Sequence, residues 1–147
     1  MPASIAILAP GVNAFRRLRK NLTEPVFNSW GYNTRSAALR IPCSDDSNRR
    51  IEYRLAGADA NPYLVAATIL TGMLYGLENI EEDDLPEPQH DEPALPLFQQ
   101  EAIETFSRCQ YLTDSLGDAF SEQWVACKLS ELDWFESIVT REESRLA

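Results

Sequence analysis

The chain has 147 residues, 44% of them hydrophobic, which is enough for one domain with a real core. No apolar run approaches the roughly 18 residues of a membrane span, and MPASIAILAPG is too short, and lacks the basic start, for a signal peptide. Three cysteines, Cys43, Cys109 and Cys127, form no CxxC pair; this argues against a disulfide framework or a zinc site and predicts a reducing, cytoplasmic setting.

The net charge of −10 is segregated. Residues 1–54 hold nine Arg or Lys against four acids, a net +5, whereas residues 55–147 hold four basic and 19 acidic residues, a net −15. The acidic total repels polyanions, so neither nucleic acid nor a membrane is expected as a partner. An arginine-rich segment inside an acidic chain points instead to small anions, because the planar guanidinium grips carboxylates and phosphates in fixed geometry.

Strand-like stretches come first, at 26–32 (VFNSWGY), 36–42 (SAALRIP) and 50–55 (RIEYRL), with Asn33-Thr34 as the turn between the first two. In the third, Arg50, Glu52 and Arg54 alternate with Ile51, Tyr53 and Leu55. That period puts three charged groups on one side of a sheet. From alternation alone, Glu52 reads equally well as an ion-pair partner of Arg50 or Arg54.

Asn61-Pro62 is a helix-start signal, with Asn61 as cap. The helix, spanning 61–78 with its cap, is apolar almost all round and so predicted to be buried. Residues 79–96 are acidic and proline-rich and read as a surface excursion that holds the lone His90. From 97 to 147 the pattern is helical: 97–107, 109–116, a break at Gly117, then 118–145. The predicted class is α+β, with antiparallel strands within about 26–56 followed by a mostly helical C-terminal layer.

The ordered motifs N13-A-F-R-R-L18, W30-G-Y-N-T-R-S-A-A-L-R-I-P42 and R50-I-E-Y-R-L-A-G-A-D-A-N-P-Y63 resemble the C-terminal part of the glutamine synthetase catalytic domain. The phrases WGYN, RIEYR and AGADANPY are similar to those of the subgroup that joins glutamate to amines and polyamines, the gamma-glutamylputrescine synthetases. The resemblance implies a ligase that joins an amine or ammonia to the glutamate side chain through a gamma-glutamyl phosphate, with ATP as co-substrate and Mg2+ or Mn2+ as the catalytic ion. It implies that Glu52 ligates that ion and that Arg17 and Arg54 bind glutamate. It gives Arg35 and Arg40 the nucleotide phosphates and the transferring phosphoryl group, and Arg50 a place near the nucleotide. Arg16, Arg19 and Lys20 stay as solvated charges.

Two departures from the family pattern stand out. The loop position where many relatives carry a glutamate is Thr23, with Glu24 next, and residues 43–48 offer no lysine near the nucleotide. The family's other metal-binding glutamates, its histidine and its small N-terminal domain lie upstream of the matched stretch. The chain is therefore expected to be the C-terminal portion of a ligase, inactive in isolation and forming a homo-oligomer. The alternative expectation is a non-catalytic anion-binding or protein-interaction module derived from that domain.

Overall fold

A computed structural model describes residues 1–19, 25–81, 94–141 and 145. Lys20, Thr23, Glu24, His90 and most of the acidic excursion lie outside the described residues. The order of elements is a short 3-10 turn at Pro2–Ser4, α1 (Ile5–Leu8), α2 (Val12–Phe15), β1 (Trp30–Tyr32), β2 (Leu39–Ile41), a second 3-10 turn at Asp46–Asn48, β3 (Glu52–Tyr53), α3 (Pro62–Asn79), α4 (Gln99–Ser107), α5 (Gln110–Leu116) and α6 (Asp118–Glu136). This is the α+β class that the sequence predicts, a small sheet followed by a helical layer.

The core forms around the N-terminal segment to which the sequence pattern assigns no element. Ile5, Ile7 and Leu8 are essentially fully buried. They pack with Leu18, Leu55, Leu95, Ala102 and Phe106 in one cluster. Two four-residue helices have no stability of their own, because helix nucleation is costly. What holds them is burial, on the order of 1.5–3 kcal/mol for each Ile or Leu removed from water. The Gly57 N–H donates to the Leu8 carbonyl at 2.8 Å and ties the chain after β3 to the end of α1.

The strands are shorter than predicted, and one pairing differs. β2 and β3 are antiparallel, but β1 and β2 run parallel, with Trp30 beside Leu39 and Gly31 beside Arg40. The expectation of antiparallel strands throughout is therefore corrected for this pair. Asn33 does turn the chain, at a left-handed φ of 49°. The following residues then double back instead of pairing as a hairpin. Ala37 and Ala38 are fully buried, and the Ala38 N–H donates to Ser29 Oγ at 3.2 Å, so the chain returns to the start of β1 before β2 begins. Three-residue strands make this possible: the return is about 10 Å, within the ~20 Å reach of a six-residue connection. Residues at the start of the first predicted strand pair elsewhere, with Phe27 bridging Ala94.

The helix after Asn61 forms where predicted, and the Asn61 side chain accepts from the N–H groups of Tyr63 and Leu64. Its predicted burial is overturned. Tyr63 and Leu77 are each 84% exposed, Leu70 62% and Met73 59%, and Thr68 is the one fully buried residue of α3. A helix that is apolar all round needs neighbours all round. Among the described residues α3 packs against α1 and α5, with Tyr75 edge-on to Tyr111 at 4.7 Å between ring centres.

The helical layer breaks at Gly117 as predicted, at φ 90° and ψ 138°, a conformation open in practice only to glycine. The last helix stops at Glu136, short of the predicted 145. Ile138, Val139 and Thr140 follow, a β-branched run that resists helix, and Val139 is 73% exposed. No helix of the described residues is long and apolar enough to cross a membrane.

Candidate active-site face

The register of β2 and β3 builds the site. Arg40 and Glu52 stand directly opposite each other, which places their side chains on one face a few ångströms apart. Arg40 Nη1 donates to Glu52 Oε2 at 2.9 Å. Arg50, two residues before Glu52 on the same face, donates from Nη2 to Oε1 at 3.0 Å. Glu52 is thus held by two guanidiniums, and of the pairings open to the alternation it takes Arg50 and not Arg54, with Arg40 added from the neighbouring strand. The hydrogen bond from Arg40, with Arg50 assisting, keeps the Glu52 carboxyl below the usual glutamate range, against an opposing cost of desolvation.

Arg40 is fixed from a second side. Its Nη2 donates to Asn33 Oδ1 at 2.9 Å, while its Nε is buried without an acceptor. Asn33 is a site residue that the sequence pattern presents only as a turn. Its side chain reaches Arg40 because the short return loop brings β2 alongside β1. Gly31, Arg40's partner on β1, puts no side chain into this face.

Arg54, next along the same face, is occupied with backbone. Its Nη1 donates to the carbonyl of Arg35 and, at 3.4 Å, to that of Ala37. It therefore clamps the loop that carries Arg35, whose own side chain is exposed. Arg17 approaches from the end of α2, and its Nη2 donates to the Leu55 carbonyl at 2.9 Å. An added Cβ on Gly57 would lie 2.9 Å from that nitrogen and closer still to Asp59 Oδ1, so a side chain there would have to displace them. Gly57, four residues after β3, has no signal in the periodicity; its close approach shows only once Arg17 is seen against it.

The structure thus joins Arg40, Glu52 and Arg50 directly, adds Arg54 and Arg35 through one loop, and places Arg17 beside the end of β3. Below the sheet the opposite face of β3 does structural work: Tyr53 shares a hydrogen bond with Ser4 Oγ at 2.9 Å, and burial pushes its phenol pKa up. Leu55 is fully buried, while Ile51 is 67% exposed and contributes little to that face.

A concentration of arginines around one carboxylate suits phosphate and carboxylate ligands. It does not by itself suit a divalent cation, which requires several oxygen ligands. Both Glu52 oxygens face guanidiniums, and no group of three or more His, Cys, Asp or Glu side chains able to hold a metal occurs among the described residues.

Residues 1–146 match the profile of the glutamine synthetase catalytic domain. The chain is 43% identical to the gamma-glutamylputrescine synthetase of Escherichia coli K12, over 97% of this chain and 31% of that protein. It is 35% identical to rat lengsin over 86% of this chain and 24% of the relative. It is also 35% identical to the glutamine synthetase of Pyrococcus woesei, over 80% of this chain and 30% of the relative. A solved structure of ligand-free apo GmaS superposes with a TM-score of 0.81 at 28% identity, over 98% of this chain and 34% of that one. The chain therefore spans about a third or less of the length of these relatives.

Proposed function

Because this chain belongs to the glutamine synthetase catalytic-domain family, we propose that its arginine-bearing sheet face is one side of an ATP-dependent ligase site. The reaction joins an amine, or ammonia, to the side-chain carboxylate of glutamate through a gamma-glutamyl phosphate. The single observation that carries this reading is the Arg40–Glu52–Arg50 bridge across β2 and β3, which gathers the charges such a reaction needs at one place.

Phosphoryl transfer to a carboxylate brings anions together, so cations must neutralise the growing charge. Arg40 and Arg35 serve the nucleotide phosphates and the transferring group. Arg50, more exposed, lies toward the nucleotide. Arg17 and Arg54 orient the glutamate carboxylates. Glu52 contributes one oxygen ligand to a Mg2+ or Mn2+ site, which needs several. The 43% identity to a gamma-glutamylputrescine synthetase supports a polyamine over ammonia as the acceptor. A non-catalytic anion-binding role is the second reading, favoured by the pairing of both Glu52 oxygens with guanidiniums.

A segment exchange tests the proposal. The 147 residues replace the matching part of the E. coli gamma-glutamylputrescine synthetase, and phosphate release is followed with ATP, glutamate, Mg2+ and putrescine. The expected result is turnover by the chimera, about 100-fold slower with Arg40→Gln, and none by the 147-residue polypeptide alone. Turnover by that polypeptide alone, or a soluble, folded chimera with no activity toward putrescine or ammonia, overturns the ligase reading.

A further inference from the structure

A groove of about 710 Å³ opens where the turn after α2, the start of α4 and the last turn of α6 come together. That volume is ordinary for a small-molecule site. Phe15, Leu18, Leu97, Phe98 and Leu132 give it an apolar lining, and Arg16, Arg19, Gln99 and Glu136 line it as well. We propose that this groove binds a free apolar α-amino acid. Arg16 and Arg19 take its carboxylate, Glu136 and Gln99 take its ammonium, and the apolar lining takes its side chain. None of these groups belongs to the proposed ligase site, so the groove stands whether or not that site does.

Opposite charges lining one groove ordinarily close on each other. Here the ion pairs among the described residues include none of Arg16, Arg19 and Glu136. Arg16 instead lies over the Phe135 ring, 5.7 Å from its centre, which steadies the guanidinium and leaves its N–H donors for a ligand. A zwitterion between these groups meets both signs at once, whereas a simple anion leaves Glu136 unmatched and a simple amine leaves the arginines unmatched. Gln99 adds an independent sign of a missing ligand. It is 6% exposed, its Nε2 donates to the Pro10 carbonyl at 3.3 Å, and its Oε1 is buried without a donor. An unpaired buried acceptor is costly, and an ammonium supplies the donor once the amide turns toward the groove. Leu132 and Glu136 are one turn apart on the same face of α6. An ammonium at Glu136 therefore lays the side chain along Leu132 and toward Phe98, whose ring is 74% exposed and gains from being covered.

Titration calorimetry of the 147-residue chain with L-phenylalanine tests the site, with a thermal melt of each variant to confirm folding. Saturable binding is expected. Phenethylamine, which lacks the carboxylate, and hydrocinnamate, which lacks the ammonium, are each expected to bind at least about tenfold more weakly. Glycine, which has no side chain to bury, is expected not to bind. Arg16→Gln with Arg19→Gln is expected to weaken L-phenylalanine about tenfold without weakening phenethylamine. Glu136→Gln is expected to weaken L-phenylalanine and phenethylamine without weakening hydrocinnamate. All three positions are exposed, so the core is untouched by these changes. No saturable heat with L-phenylalanine up to about 10 mM overturns the site, and so does binding that ignores the arginine changes. Hydrocinnamate binding as tightly as L-phenylalanine overturns the amino acid as the ligand.

Discussion

Glu52 shows how one side chain takes its properties from its neighbours. Its carboxyl is held below the ordinary range chiefly by the Arg40 hydrogen bond. A carboxylate whose folded-state pKa is depressed contributes its stability fully above the unfolded-state value, and loses it as the pH falls through the folded one. The native chain is therefore expected to melt above Glu52→Gln at neutral pH, with the gap closing as the pH falls below the usual glutamate range. Thermal melts of both proteins across that range check this, and a gap that stays constant at every pH would contradict it. The other residues of the face are legible to different degrees. The strict alternation of 50–55 puts Arg50, Glu52 and Arg54 together, but Arg40 as the partner of Glu52 depends on strand register. Asn33 and Gly57 depend on a loop path and a close approach, neither of which leaves a mark in local pattern.

Among the elements, those with local signals come out as read. Asn61 before Pro62 caps α3, accepting from the Tyr63 N–H at 2.9 Å and the Leu64 N–H at 3.4 Å. Asn61→Ala is expected to cost about 1 kcal/mol, and Asn61→Asp little, as measured by urea denaturation. An alanine variant as stable as the native chain would show that α3 is held by its tertiary contacts alone. Gly117 ends one helix and begins the next for a similarly local reason, its positive φ. The direction of β1 against β2 has no such signal. Both hairpin and return loop satisfy the same period-two text, and the choice falls to the buried Ala37 and Ala38. Helical spacing continues through Val139 and so extends the predicted helix past Glu136, where the β-branched run at 138–140 ends it.

At the scale of the whole molecule, α3 exposes apolar side chains to solvent. Tyr63, Leu70, Met73 and Leu77 are each more than half exposed, and Leu74 is 51% exposed, all on one helix. Apolar patches of this kind on a domain surface mark places of association. We expect the chain to elute as a dimer or larger assembly in size-exclusion chromatography with light scattering, and Leu70→Glu with Leu77→Glu to shift it toward monomer. Monomeric elution of the native chain at high concentration would count against self-association.

The α+β class, the Asn61 cap, the break at Gly117, the charged face of the third strand and the family are legible in the amino-acid order, because each rests on residues close together in the chain or on motifs in fixed order. Tertiary structure alone decided three things: that Arg40 and Arg50 share Glu52, that β1 runs parallel to β2, and that the N-terminal segment, not α3, fills the core. The physical reason is common to all three. Burial and ion pairing depend on which distant segments meet, and both α3 and the segment Ile5–Leu8 read as apolar text. The segment Ile5–Leu8 meets α4 and is covered, whereas α3 meets α1 and α5 on one side and leaves the other to solvent.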